Sequence, residues 1–278
     1  MSEILTRHTA RHICLISGGK DSTALALYMR DRHPEIQMEY VFCDTGEELE
    51  ETYEYLTRIE AYLGMEVTRL SPTDVQQYRE GAFRHYLKMY REFLPSPQAR
   101  WCTRKLKIEP FEEYVGDDAV LLYVGIRADE NREGYISTKP NITAVFPFKT
   151  DGIVKADVHH ILEQSGVGLP KYYDWRSRSG CYFCFFQRKV EWVGLYDEHR
   201  DMFEKAKSFE KPELGYTWVQ GETLDEIIAR RDQIEAQEQQ RRERAEVRRR
   251  NTPQTLAELF GADPEDLEGE AGCLICHL

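Results

Sequence analysis

A short apolar run at residues 12–16 is followed at once by Ser17-Gly18-Gly19-Lys20-Asp21-Ser22 and then by a helical pattern over about 22–30. This succession of strand, glycine turn and helix constrains the chain more than any other feature. Two adjacent glycines let the backbone turn tightly, so amide N–H groups and the positive end of a helix can face one point. Ser17 and Ser22 add hydroxyls, Lys20 a cation and Asp21 a carboxylate that could meet Mg2+. The segment therefore reads as a phosphate cradle, although it matches neither Gly-x-x-x-x-Gly-Lys-Ser/Thr nor Gly-x-Gly-x-x-Gly.

Short apolar runs continue to alternate with amphipathic stretches. Residues 40–42, 67–70 and 119–124 read as further strands, and 47–63 reads as a helix with Tyr55, Leu56, Ile59 and Leu63 on one face. Continuous apolar strands separated by helices predict an α/β fold with a doubly wound parallel sheet buried on both faces. Residues 74–93 read as helical, as do 190–207, and 224–250 reads as one highly charged helix. The expected organisation is a nucleotide-binding domain over 1–210 and a helical, charged extension over 211–278 with an acidic, cysteine-bearing tail.

The chain has 278 residues with 37 basic and 49 acidic side chains, giving a formal charge of -12. That balance argues against broad non-specific binding of nucleic acid. A local basic surface is still compatible with it, and 84–104 and 241–250 are the candidates. Mean hydropathy is -0.61, and no apolar run approaches the roughly 18 residues that span a bilayer. Residues 1–11 lack the apolar segment of a secretory signal. A cytoplasmic protein without a membrane partner is the expectation.

Seven cysteines, Cys14, Cys43, Cys102, Cys181, Cys184, Cys273 and Cys276, form no evident disulfide framework. Cys14 and Cys43 lie in apolar strands and read as small buried hydrophobes. Cys181-x-x-Cys184 and Cys273-x-x-Cys276 read as metal, cluster or redox spacings. Three readings of the first pair stay open: a zinc knuckle, which needs four ligands; a dithiol with a lowered thiol pKa; or a 4Fe–4S cluster held by Cys102, Cys181 and Cys184. The fourth cluster ligand would be Cys273 or Cys276, or that iron would stay open.

Ser17–Ser22 resembles the pyrophosphate-binding loop of the PP-loop superfamily of adenine-nucleotide α-hydrolases, whose fold is the HUP-like doubly wound sheet. Three further segments resemble phosphoadenosine-phosphosulfate (PAPS) reductases and their relatives. They are Phe42-Cys43-Asp44-Thr45-Gly46-Glu47 with Glu51-Thr52, Arg100-Trp101-Cys102-Thr103-Arg104-Lys105-Leu106-Lys107, and Val124-Gly125-Ile126-Arg127-Ala128-Asp129-Glu130-Asn131-Arg132. The Trp-Cys-Thr-Arg-Lys segment followed much later by Gly-Cys-x-x-Cys is most similar to the ATP pyrophosphatases of DNA phosphorothioation systems, the DndC and SspD type.

That resemblance implies an enzyme that cleaves ATP between the α and β phosphates, adenylates a substrate oxygen and so allows sulfur to replace it. ATP and Mg2+ would be held by Ser17, Gly18, Gly19, Lys20, Asp21, Ser22, Asp44, Gly125 and Arg127. Lys20, Asp21, Asp44, Arg104, Lys105 and Arg127 would carry the chemistry, and Arg132 would add charge. A cysteine desulfurase would supply sulfur, the acceptor would be DNA or tRNA, and other modification-system subunits could join as partners. Two alternatives share the loop. One is a thiol-dependent PAPS or adenylyl-sulfate reductase using a tail cysteine; the other is a non-catalytic nucleotide-binding subunit of a defence complex.

Overall fold

The computed structural model describes residues 10–72, 80–131 and 137–251. Five strands form one sheet in the order β3-β2-β1-β4-β5: β1 (Arg11–Leu15), β2 (Met38–Cys43), β3 (Thr68–Leu70), β4 (Val120–Tyr123) and β5 (Ile142–Val145). Every pairing is parallel; Ile13 stands opposite Glu39 on one side and Leu122 on the other. The doubly wound sheet read from the sequence is therefore present. The sequence pattern does not mark β5, because only Ile142 of Ile-Thr-Ala-Val is buried on this edge strand and the run is too short and polar to stand out.

Side chains alternate between the faces of β1, as the pleat requires. Cys14 and Ile16 pack with Leu25, Leu27, Leu56, Ile59 and Phe148 beneath α1 (Lys20–Arg32), α2 (Glu50–Leu63), the short α5 (Pro147–Thr150) and α6 (Lys155–Gln164). Ile13 and Leu15 pack on the other face with Val41, Phe111, Val115 and Leu122. Cys14 and Cys43 are both buried, in keeping with an apolar role.

A third cluster lies apart from the sheet and is aromatic. Phe83, Trp101, Phe183, Phe209 and Trp218 meet there, with ring centroids of Phe83 and Phe183 4.2 Å apart. It joins α3 (Ala82–Met89), the segment 101–115, here α4, and the helices α7 (Lys189–Glu198) and α8 (Arg200–Ser208). Trp218, Leu224, Ile227 and Ile234 enter the same cluster, so the start of the charged extension is packed against the body of the chain.

Several helical expectations are refined. The helix expected at 47–63 begins at Glu50, because Asp44–Glu47 make a turn held by their own side chains. His199, at φ -137° and ψ 66°, splits 190–207 into α7 and α8. Arg230 likewise separates α9 (Leu224–Ala229) from α10 (Arg231–Asn251). Of the helix expected over 74–93, Ala82–Met89 is helical, and residues 73–79 lie outside the described residues. No described helix is long and apolar enough to cross a membrane.

Candidate nucleotide and thiol site

Ligands of open parallel sheets bind beyond the carboxyl ends of the strands, where the strand order reverses. Here that point lies between β1 and β4, and both following segments meet there. Ser17–Gly19 runs from β1 into α1, the first helix. Gly18 takes φ +75°, and a Cβ there would lie 2.7 Å from Thr52 Cγ2, so only glycine fits. The Ser17 and Ser22 hydroxyls lie 3.0 Å apart, Ser22 Oγ accepts from the Ser17 amide at 3.1 Å, and it donates to the Gly19 carbonyl at 3.2 Å. The loop is thus held in shape by its own hydroxyls.

Gly125 serves the same loop from the other strand. A Cβ on it would stand 2.9 Å from the Asp21 carbonyl oxygen, so its lack of a side chain lets the end of β4 approach the first turn of α1. Two residues on, Arg127 is 1% exposed. Its guanidinium lies 2.9 Å from Asp21, 2.9 Å from Asp129 and 3.1 Å from Glu130. The sequence points to Arg127 as a cation facing phosphate. The structure instead encloses it among carboxylates, where it fixes Asp21 against the loop.

Lys20 remains the loop's cation. Its ammonium lies 3.2 Å from Asp21 and 5.8 Å from the centre of the Tyr173 ring. Burial works to lower its pKa, but the Asp21 carboxylate and the Tyr173 hydroxyl together hold it above its ordinary value, so the side chain stays charged. Asp44, at the end of β2, accepts hydrogen bonds from the Gly46 amide and the Tyr53 hydroxyl, both at 2.8 Å. Arg104 and Lys105 are engaged with Glu109, at 3.1 and 2.8 Å. Arg132 lies outside the described residues.

The second half of the site is a small cavity lined by Cys102, Cys181 and Cys184 together with Thr45, Thr103, Leu106, Lys107 and Phe185. Cys102 thus opens onto one space with a cysteine pair that begins 79 positions further along the chain. Cys102, Thr103, Leu106 and Lys107 reach it from α4, whose stretch Arg104–Ile108 is wound as a π-helix, a form that recurs at functional sites. Thr45 Oγ1 lies 3.2 Å from Cys181 Sγ and donates to Glu48 at 2.9 Å.

Burial pushes the Cys181 thiol well above its usual value, with Glu48 adding to the rise. This reverses the lowered pKa expected of a C-x-x-C dithiol. Among the described residues no three Cys, His, Asp or Glu side chains converge as a single-ion site. A closed zinc knuckle is therefore not formed by them. A cluster bonds each thiolate through a different iron, and three soft thiols facing one cavity suit that chemistry. Cys273 and Cys276 lie outside the described residues.

Residues that the sequence did not single out tie the two halves together. Tyr172 donates to the Gly18 carbonyl at 2.6 Å, and the Lys20 amide donates to the Tyr173 hydroxyl at 3.1 Å. Ser179 Oγ lies 3.3 Å from Ser17 Oγ. Buried Arg176 donates to the Gly180 and Cys181 carbonyls at 3.0 and 2.8 Å. Their one sequence signal was position, immediately before Cys181 in a stretch dense in aromatic and basic residues.

Glu191, wholly buried in α7, accepts from the Ser177 amide and hydroxyl at 2.8 and 2.6 Å. Burial alone would raise its pKa, but the Ser177 hydroxyl and the Arg188 charge hold it below the ordinary value. A folded pKa below the unfolded one gives stability that is present above the unfolded value and lost as pH falls through the folded one. Glu191→Gln should therefore unfold at lower urea than wild type at pH 7, with the gap closing below about pH 4. A gap that stays constant with pH contradicts this assignment.

The model of the phosphoadenosine phosphosulfate reductase domain matches residues 11–184. The chain belongs to this family. Members of the family are enzymes that act on ATP-derived nucleotides. Uncharacterized protein MJ0066 of Methanocaldococcus jannaschii is 28% identical over 225 residues, covering 73% of this chain and 43% of its own. The chain spans about half the length of the curated relatives it matches.

Among solved structures, PAPS reductase from Candida auris in a phosphate complex is similar at TM-score 0.46 and 16% identity, covering 62% of this chain and 81% of that one. The U34-tRNA thiolase NcsA from Methanococcus maripaludis, with its 4Fe–4S cluster, is similar at TM-score 0.38 and 13% identity, covering 75% and 76%.

Proposed function

We propose that this family member is an ATP pyrophosphatase that adenylates a substrate oxygen and passes sulfur to the activated carbon or phosphorus. The observation that carries this reading is the joining of a phosphate loop to a three-thiol cavity at one sheet edge, through the segment 171–181. A nucleotide loop alone would suit many reactions; placing thiols beside it suits sulfur chemistry.

In this reading Ser17–Ser22 hold the β and γ phosphates, with Asp21 and Asp44 as carboxylates for Mg2+. The substrate oxygen attacks the α phosphorus, the α–β bridging P–O bond breaks, and pyrophosphate leaves with the electron pair. Lys20 offsets the charge that grows on the leaving oxygens. Hydrosulfide, freed from a desulfurase-derived persulfide by a thiol reductant that supplies two electrons, then attacks the activated centre, and AMP leaves with the electron pair of the broken bond. Cys102, Cys181 and Cys184 would hold a 4Fe–4S cluster, which when bound would supply the sulfur-handling centre. A cysteine desulfurase is the proposed source of sulfur, and a nucleic acid, as in DNA phosphorothioation, the proposed acceptor.

Family membership also favours a second reading, a thiol-dependent reductase of PAPS or adenylyl sulfate. The two are separated by parallel assays of the same preparation. Pyrophosphate release from ATP with Mg2+ is expected, and sulfite release from PAPS with a thiol reductant is not. The opposite pattern selects the reductase.

A further inference from the structure

Segment 171–181 reaches both halves of the site through hydroxyl groups and one buried guanidinium. At its start the Tyr173 hydroxyl accepts the Lys20 amide at 3.1 Å, while the same ring lies beside the Lys20 ammonium. That amide is the first N–H of the helix following the phosphate loop, one of the groups a phosphate oxygen would take. At its end Arg176 holds the Gly180 and Cys181 carbonyls, Thr45 touches Cys181 Sγ, and the Tyr182 amide donates to Glu47 at 2.9 Å. Between them Ser179 lies against Ser17.

One N–H has room for one good acceptor. A phosphate oxygen and the Tyr173 hydroxyl therefore compete for Lys20, and a ligand shifts a conformation only through such differential contacts. We infer that Tyr173 is a positioning residue that couples the two sites: phosphate bound in the loop displaces its hydroxyl from the Lys20 amide, and the strap, left with its Tyr172 and Ser179 anchors on the loop, loosens the segment that carries Cys181 and Cys184. Nucleotide binding thereby opens the thiol cavity when an activated substrate is about to form. This rests on the nucleotide function proposed above and deepens it by adding a regulated order to the two half-reactions.

Hydrogen–deuterium exchange on the full chain, with Mg2+ and the α,β-methylene analogue of ATP, tests the coupling. In wild type the analogue should slow exchange over 17–22 and speed exchange over 176–184 by about two- to tenfold, the equivalent of losing one hydrogen bond. Tyr173→Phe should keep the slowing over 17–22 and lose the response over 176–184. Should that variant not fold, Ser179→Ala decides, with a response smaller than wild type expected. Slowing over 17–22 without any change over 176–184 overturns the coupling alone, as does an undiminished response in the variants. No slowing over 17–22 overturns the nucleotide function and the coupling with it.

Discussion

Arg127→Met is expected to lower the unfolding free energy by about 3–5 kcal/mol, the range for removing one partner of a buried ion pair. The side chain is 2% exposed, and the carboxylates it faces, Asp21, Asp129 and Glu130, are 7%, 4% and 11% exposed. Without the guanidinium, buried negative charges face one another with little water to screen them. Arg127→Lys keeps a charge but loses the planar fork that meets several oxygens at once, so it should recover only part of the loss. Urea unfolding at pH 7 measures both. An Arg127→Met midpoint equal to that of wild type would mean that these carboxylates are not held by Arg127.

Lys20→Ala should leave the fold intact and lower AMP formation from ATP by about a hundred- to a thousandfold, the usual loss on removing one preorganised charge from developing phosphate charge. The expectation follows from the loop's construction. Its backbone is shaped by Gly18, Ser17 and Ser22 and needs no lysine, whereas Lys20 is the loop's cation and stays protonated beside Asp21. Single-turnover rates at saturating ATP measure the effect. A variant within a few-fold of wild type would remove Lys20 from the chemistry.

Much of the fold is legible in the sequence, for reasons that differ along the chain. The strands were visible because a parallel sheet covered on both faces demands unbroken apolar runs, as at Ile13–Ile16. The loop after β1 is legible because two adjacent glycines stand between an apolar run and a helical pattern; the structure adds why glycine is needed at position 18, φ +75° against Thr52. Cys102 could be grouped with Cys181 and Cys184 from their sequence context, and all of them line one cavity.

What stayed hidden depended on long-range packing. Arg127 reads in sequence as a cation beside a ligand, because nothing local says that Asp21, 106 positions away, folds over it. The π-helical turn at Arg104–Ile108 has no periodicity signal in so short a run. Tyr172, Tyr173 and Ser179 act through single hydroxyl contacts more than 150 residues away along the chain. Ordinary polar side chains of that kind carry no pattern that could be read in advance.

In the proposed function the loop after β1 takes the β and γ phosphates of ATP as a unit. That is tested most directly by incubating the protein with Mg2+ and ATP labelled on either the α or the γ phosphorus and resolving the products. Label from the α position should appear in AMP and label from the γ position in pyrophosphate, with neither product formed by Lys20→Ala at a comparable rate. Label from the α position recovered in ADP, with free phosphate from the γ position, would contradict the account.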